Sequence, residues 1–284
     1  MSNQTTYEIV TQRIIDCLEN GVAPWRKGWS VESPRNAISG RKYSGINTLV
    51  LSLSTYTDPR WATIRQINQL GGRVRKGEHS TAIAFWKRIP ITADEGEIEK
   101  VIPYLRFYRV FNVQQTDLNL PALNTRGLEP IAEAERVISK MPKRPSITHN
   151  GGDRAFYMPT TDSIHMPAKG SLHSNEDYYV TLLHEMSHST GHSSRLNRHG
   201  LETGIAPFGS ETYSKEELVP EISAAFLASE CGIKFDLPNS VAYVGSWLRV
   251  LRNDRKMVIV AAGQAQRAAD FILNRQTQET DQGE

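Results

Sequence analysis

The stretch His184-Glu185-Met186-Ser187-His188 constrains the fold of this chain more than any other part of the sequence. Side chains four residues apart lie on one face of an α-helix, about 5–6 Å apart at Cβ, so two imidazoles at this spacing can hold one metal ion. Glu185 lies beside the pair, where a carboxylate can accept a proton from a water molecule. The alternative interpretation is two surface histidines on an ordinary helix, which needs no metal.

The residues before this H-E-x-x-H motif favour the helix that the motif requires. Asn175 and Asp177 are expected to cap its start. Its apolar face is expected to consist of Tyr179, Leu182, Leu183 and Met186. A tetrahedral site needs a third protein ligand and leaves the fourth position for water. Ser194 stands where a metzincin would carry a third histidine, and we expect His192 to support the site rather than bind the ion.

The third ligand is therefore expected from a later helix, predicted over residues 214–230. Glu221 is the first choice, because it lies mid-helix among apolar residues, where an unpaired carboxylate would be costly to bury. Glu217 is the alternative, although a capping box with Ser214 would also explain it. Whichever glutamate does not bind the ion could orient a histidine. The sequence thus predicts a gluzincin-like zinc site with Glu185 as general base.

The charge distribution divides the chain into two different halves. Residues 1–116 hold 16 Lys and Arg against 10 Asp and Glu, whereas residues 117–284 hold 17 against 21. Four of the five tryptophans also lie in the basic half. A length of 284 residues suits two domains. We therefore predict an α+β protein with a small N-terminal domain over 1–125, a metal-binding domain over 126–276 and a polar tail over 277–284.

Two further features indicate the environment of the chain. Its only cysteines, Cys17 and Cys231, lie on predicted helix faces in different halves, which predicts buried thiols and a reducing, cytoplasmic location rather than a disulfide framework. No apolar run approaches the roughly 18–20 residues of a membrane helix, and the N-terminus lacks the pattern of a signal peptide. No membrane association is therefore expected.

Short strands are predicted on both sides of the centre of the chain. Residues 81–88 and 104–111 read as strands joined by an acidic loop over 89–100. Three short segments just before the H-E-x-x-H helix, 146–149, 155–158 and 163–166, predict an antiparallel meander. Residues 162–167 are the expected edge strand, which could pair with an extended peptide substrate.

Basic residues alternate with aromatic residues in the N-terminal half, which is typical of single-stranded nucleic-acid binding. Cations follow the phosphates, and rings stack on exposed bases. The alternative is that the rings are core residues and the cations are merely solvated. The residues predicted to contact DNA are Trp25, Arg26, Lys27, Trp29, Arg41, Lys42, Tyr43, Arg73, Arg75 and Lys76.

Motifs along nearly the whole chain resemble those of the ArdC-type antirestriction proteins of conjugative plasmids. The resemblance is carried by Tyr43-Ser-Gly-Ile-Asn47, Leu70-Gly-Gly-Arg-Val-Arg-Lys-Gly-Glu78, Asp162-Ser-Ile-His-Met-Pro167, His184-Glu-x-x-His188-Ser-Thr-Gly-His192, Arg195-Leu-Asn-Arg198 and Glu216-Glu-Leu-Val-x-Glu221. It implies a single-stranded-DNA-binding N-terminal domain, shared with certain plasmid primases, and a metallopeptidase-like C-terminal domain. It also implies protection of incoming DNA from host restriction. Pro220 departs from the family pattern and could bend the helix near the proposed ligand.

Three functions remain open at this point. The first is an antirestriction protein that binds single-stranded DNA during plasmid transfer and carries a zinc metallopeptidase-like site. The second is a zinc metalloprotease that DNA merely localises to a DNA-bound protein substrate. The third is a DNA-binding module whose metal is structural. Glu185 argues against the third, because it is not itself expected to bind the ion.

Overall fold

The computed structural model describes residues 6–21, 23, 25, 33–92, 98–123, 129–150, 152–198, 211–234 and 241–275. Within these residues the helices are α1 (Thr6–Glu19), α2 (Ile46–Ser52), α3 (Ile64–Gln69), α4 (Pro130–Lys140), α5 (Asn175–Ser189), α6 (Glu211–Cys231), α7 (Val241–Asn253) and α8 (Met257–Ile272). The strands are β1 (Arg35–Asn36), β2 (Arg60–Ala62), β3 (Thr81–Thr92), β4 (Ile98–Asn112), β5 (Ser146–Thr148), β6 (Phe156–Met158) and β7 (Ser163–His165). The predicted α+β class is confirmed.

The N-terminal sheet is built on the long antiparallel hairpin of β3 and β4. The ladder runs from Thr81 opposite Val110 to Thr92 opposite Ile98, and the strand order is β1-β2-β4-β3. The strands therefore extend into residues 89–100, where the sequence predicts a loop. This prediction was wrong at both ends of the segment, because β-branched residues favour continued pairing over a turn. Residues 93–97 lie outside the described part of the chain.

The C-terminal sheet differs from the predicted antiparallel meander. Its order is β5-β7-β6, and β5 pairs with β7 in parallel, while β6 pairs with β7 antiparallel. β7 is therefore the central strand, with Ile164 fully buried. The prediction of an edge strand at 162–167 was wrong, since both hydrogen-bonding edges of β7 are already paired. β6, which packs against α5, is an edge of this sheet.

The two halves of the chain share one hydrophobic core. Ile14 and Leu18 of α1 belong to the same buried cluster as Trp247 of α7 and Ala265 of α8. The rings of Trp25 and Trp247 meet edge to face, with centroids 5.0 Å apart. The division at residue 125 stays a prediction. A second, small cluster under β2, β3 and β4 contains Leu51, Trp61, Ile83 and Val110.

No helix among the described residues combines the length and apolarity that crossing a bilayer requires.

Candidate metal centre and nucleic-acid interface

Helix α5 presents the two histidines of the motif on one face. Ser174 caps this helix and accepts a 3.0 Å hydrogen bond from the Asp177 backbone N–H, one position before the expected cap. The interior face of the helix is buried, as the spacing of its apolar residues predicts. The Nε2 atoms of His184 and His188 point to the same place and lie 3.2 Å apart. The spacing of the motif therefore produces the paired imidazoles that it predicts.

Helix α6 brings Glu217, rather than Glu221, to these imidazoles. The Glu217 Oε2 atom lies 3.5 Å from His184 Nε2, and its Oε1 atom lies 3.5 Å from His188 Nε2. These three residues form the cluster that could hold a metal ion among the described residues. Glu221, one turn further along and also buried, contributes its negative charge to His184. The structure thus reverses the expected order of the two glutamates.

The reason for this reversal lies in where α6 begins. A capping box involving Glu217 requires a helix that starts close to Ser214, whereas α6 starts at Glu211. Glu217 is therefore a helix-interior residue, and its carboxylate is free of the capping role. Pro220 is accommodated inside the helix, although it lacks the N–H that would bond the carbonyl of Glu216.

His184, His188 and Glu217 bring one donor atom each to within 4.8 Å of one another, close enough to hold one divalent ion. Metal–ligand bonds of about 2.0–2.1 Å at tetrahedral angles place donor atoms roughly 3.3–3.4 Å apart. The two imidazole nitrogens are 3.2 Å apart, and each lies 3.5 Å from a different oxygen of the Glu217 carboxylate, which therefore faces both rings. Three protein donors leave one position for water or substrate, which is typical of catalytic rather than structural zinc sites.

His184 and Glu217 stabilise each other's charge before any metal binds. Burial by itself lowers the pKa of His184, but the hydrogen bond to Glu217 and the charges of Glu185, Glu217 and Glu221 outweigh it and raise this pKa to about 9. Burial likewise raises the pKa of Glu217, but hydrogen bonds and positive charge from His184 and His188 hold it well below its usual range. At neutral pH the metal-free site therefore contains a His184–Glu217 ion pair.

This ion pair makes metal binding dependent on pH. The stability that His184 adds to the metal-free protein is complete below its unfolded pKa of 6.5 and is lost as the pH rises through about 9. Metal must displace that proton, so we expect the dissociation constant for zinc to fall roughly tenfold per pH unit below pH 9. Competition with a chromophoric chelator between about pH 6.5 and pH 8.5 measures it. An affinity independent of pH would contradict the assignment of His184.

Glu216 and Arg198 support the metal centre from outside. The buried Arg198 guanidinium donates to the Ser187 carbonyl at 3.1 Å, to the Thr190 hydroxyl and to Glu216 Oε1 at 3.0 Å. The same Glu216 oxygen lies 3.9 Å from His188 Nδ1. Negative charge at this position favours a proton on Nδ1, which leaves Nε2 free to face the ion. These roles of Glu216 and Arg198 were not predicted from the sequence, where the signal is a charged residue shortly after the metal helix and another directly before Glu217.

A second arginine fastens the end of the metal helix to the C-terminal sheet. Arg195 donates to the Ser189 carbonyl at 2.7 Å and forms an ion pair with Asp162, which also accepts a hydrogen bond from Tyr157. His192 lies apart from the metal candidates, with its Nδ1 atom 2.8 Å from the Ser194 hydroxyl. Its supporting role stays a prediction.

Glu185 and the contact between the two helices complete the site. Glu185 is 7% exposed and forms no hydrogen bond with any described residue. Behind it, Ser187 of α5 and Ser223 of α6 are hydrogen-bonded at 3.0 Å and fully buried, which fixes the two helices against each other. A carboxylate that is largely buried and without such a partner suits a group that accepts and releases a proton.

Trp25 is unavailable for stacking on DNA. Its side chain is fully buried against Trp247, so this prediction was wrong. The large apolar surface of a tryptophan ring stabilises the fold more when it is packed in the core than when it is exposed to water. Three other predicted contacts, Arg26, Lys27 and Trp29, lie outside the described residues.

Two of the residues predicted to contact DNA, Lys42 and Tyr43, already contact other residues of the protein. Lys42 forms a 2.7 Å ion pair with Glu230 in the last turn of α6, and Arg275 binds the other oxygen of the same carboxylate at 2.6 Å. Tyr43 is half-buried beside Phe85, whereas Arg41 is exposed. Of these residues, Arg41 has the most accessible charge.

The remaining predicted contacts lie on one fixed turn. Arg73, Arg75 and Lys76 are all exposed. The Arg75 backbone N–H donates to the Gln115 carbonyl at 2.9 Å, and the Asp117 backbone N–H donates to the Arg73 carbonyl at 3.1 Å. The structure thus brings these three cations together on a surface turn held to the end of β4.

Two protein families match this chain, one in its basic N-terminal half and the other in its acidic C-terminal half. The family described as the N-terminal domain of anti-restriction factor ArdC matches residues 4–111. The family described as zincin-like metallopeptidase matches residues 132–264, which contain both α5 and α6.

Relatives from two bacteria match nearly all of the chain. Two Escherichia coli proteins named DNA primase TraC are 38% and 37% identical over 94% of this chain, which spans only 27% and 20% of their lengths. An uncharacterized protein, y4eC of Sinorhizobium fredii, is 32% identical over 95% of this chain and 92% of its own length.

Two solved structures share the whole architecture. The metal-free crystal structure of the antirestriction protein ArdC from plasmid R388 superposes with a TM-score of 0.79 at 37% identity, covering 96% of this chain and 100% of that one. The Mn(II)-bound structure of the same protein gives 0.76 at 36% identity, over 95% and 98% of the two chains. With such similarity along its entire length, the chain belongs to the ArdC family of antirestriction proteins and contains a zincin-like domain.

Proposed function

We propose that this antirestriction protein binds single-stranded DNA through its N-terminal half and hydrolyses a peptide bond at a zinc ion held by His184, His188 and Glu217. The observation that supports the metal site best is the pair of Nε2 atoms 3.2 Å apart, with the Glu217 carboxylate facing both of them, one oxygen 3.5 Å from each nitrogen. A divalent ion is also consistent with the Mn(II)-bound structure of the R388 relative. Zinc is proposed because two imidazoles and a carboxylate in a tetrahedral arrangement are a common zinc donor set.

The residues of the chain divide the proposed reaction between them. Zinc supplies a Lewis acid and lowers the pKa of water to about 7. Glu185 accepts the proton of the attacking water and delivers it to the leaving amine. Glu216 and Arg198 hold His188 in the tautomer that faces the ion. An extended peptide would pair with the free edge of β6, because β7 is paired on both sides.

Glu185→Gln tests whether hydrolysis occurs. Glutamine keeps the shape of the side chain but cannot take the proton, so we expect full metal content and a loss of about 10²–10⁴ in the rate of peptide cleavage. Metal analysis, cleavage of a peptide library and an antirestriction assay are run together, with Glu176→Gln in the first turn of α5 as control. Wild-type cleavage by Glu185→Gln would exclude this mechanism.

The antirestriction assay separates the two remaining functions. If Glu185→Gln still protects incoming DNA, the protein acts through binding rather than through hydrolysis. Loss of protection together with cleavage favours a DNA-localised metalloprotease. The buried carboxylate of Glu185, whose charge acts on the neighbouring His184, supports a catalytic over a purely structural metal.

The proposal for DNA rests on the exposed cations of the turn around Arg73, Arg75 and Lys76. We expect the full-length protein to prefer a single strand to a duplex in fluorescence anisotropy, because only a single strand offers free base faces. Affinity should fall with salt by roughly 0.7 log units per log unit for each phosphate contact. Arg73→Ala should reduce this slope, and chelation of the metal should leave it unchanged. Equal affinity for single strand and duplex would contradict this assignment.

A further inference from the structure

Phe107 is an exposed aromatic ring in the middle of a strand. It lies inside β4, yet 42% of its surface remains accessible. Single exposed apolar side chains are ordinary on protein surfaces, so exposure alone indicates no function. The question is whether its neighbours form a surface of defined chemistry.

The adjacent strand leaves this ring open on one side. Phe107 is opposite Ala84 on β3, and two residues along, Arg109 is opposite Ala82. Side chains two residues apart lie on the same face of a strand, so Phe107 and Arg109 share a face, and directly across from them β3 presents the methyl groups of Ala84 and Ala82. On the other side of β4, β2 pairs only with Phe111 and Asn112.

Positive charge lies beside this ring on the same face of β4. Arg109 is exposed and donates a 3.3 Å hydrogen bond to the hydroxyl of Ser80, whereas the exposed Arg106 points to the opposite face of the strand. Ser80 follows shortly after the cationic turn of residues 73–77, where Gly71 and Gly77 adopt φ values of 81° and 90° that favour glycine. The turn and the Phe107 surface are therefore connected through one short segment.

The acidic residues of this region are used within the protein. Glu78 accepts a hydrogen bond from the Gln115 side chain at 2.9 Å, and Asp117 accepts one from the Arg73 backbone N–H. Both carboxylates therefore hold the turn in place, while the guanidinium groups of Arg106 and Arg109 remain exposed. An exposed ring among cations is the combination that single-stranded nucleic acid binds.

We propose that Phe107 is a base-stacking residue of the DNA interface, with Arg109 and then the turn 73–77 following the phosphates that continue from the stacked base toward the end of β4. This inference rests on the proposed binding of single-stranded DNA. It supplies the ring that the sequence assigned to Trp25, whose side chain is buried. The occupant is a single strand, because a duplex keeps its base faces stacked and offers no plane to Phe107.

The test compares an oligothymidylate with an abasic strand of equal length, which carries the same phosphates but no bases. We measure fluorescence anisotropy of full-length wild type, Phe107→Ala, Phe107→Leu and Phe107→Trp, with Val260→Ala, a remote exposed residue of α8, as control. Both Phe107→Ala and Phe107→Leu should weaken binding of the oligothymidylate about fivefold or more. Neither should change binding of the abasic strand or the salt slope. Phe107→Trp should retain wild-type affinity.

Each contrary result has a distinct meaning. If the wild type binds the oligothymidylate and Phe107→Leu binds it equally well, the stacking role is wrong and DNA binding itself stands. Equal losses of affinity for the oligothymidylate and the abasic strand would mean that Phe107 acts through packing. In that case the variant should also have a lower melting temperature. If the wild type binds neither strand, the proposed function and this inference both fall.

Discussion

Glu217→Ala is expected to lose stoichiometric metal, whereas Glu221→Ala is expected to keep it. Glu217 is the proposed third protein ligand, and its two oxygens each lie 3.5 Å from one of the two imidazoles. Removing a residue that only supports a ligand commonly weakens metal binding about 10–100-fold. Removing a ligand itself should therefore weaken metal binding by more than about 100-fold. Isothermal titration of the metal-free variants with zinc measures the difference.

The pair is a matched comparison because both glutamates are buried on the same face of α6. Each variant removes one buried negative charge close to His184. A general electrostatic effect would therefore weaken both variants to a similar degree. Loss of metal in Glu221→Ala alone would restore the order that the sequence favoured and would contradict the geometry of the site.

Trp25→Ala should destabilise the entire protein by about 3–5 kcal/mol, as is typical of large-to-small substitutions of buried aromatic residues. Its ring is fully buried against Trp247, which belongs to the opposite half of the sequence. Thermal unfolding followed by circular dichroism should show one transition at a lower midpoint, because both halves contribute to one core. Below that transition, DNA affinity should match the wild type.

Trp25→Phe is the control, since it keeps an aromatic ring in the core and should lose much less stability. The opposite pattern, an unchanged melting midpoint with weaker DNA binding, would mean that Trp25 contacts the bases after all. Two melting transitions in the wild type would instead contradict a shared core.

The metal helix could be predicted from the sequence because its signal is local. A spacing of four residues places His184 and His188 on one face whatever the rest of the fold does. The choice between Glu217 and Glu221 depended on where α6 starts, and helix starts are the least certain part of a sequence-based prediction. Three extra residues at the N-terminus of that helix, from Glu211, turned a capping residue into a candidate ligand.

The failures elsewhere concern contacts between distant parts of the chain. Three-residue strands such as β5, β6 and β7 carry too little alternation to reveal which strand is central. In the same way, the aromatic composition of the basic half did not reveal that Trp25 would pack on α7. The sequence does not distinguish a buried ring from an exposed one here, because Trp247, which covers Trp25, lies more than two hundred residues away along the chain.

The ion pair between Lys42 and Glu230 has a consequence for how such proteins can be recombined. Glu217 and Glu230 are thirteen residues apart on α6, so one rigid helix of about 20 Å connects the metal candidates to a basic residue of the N-terminal half. Exchanging either half alone between relatives would separate Lys42 from Glu230 and Trp25 from Trp247. We therefore expect the two halves to be inherited together as one unit. The two DNA primase TraC matches agree with this, since each covers 94% of this chain in a single stretch.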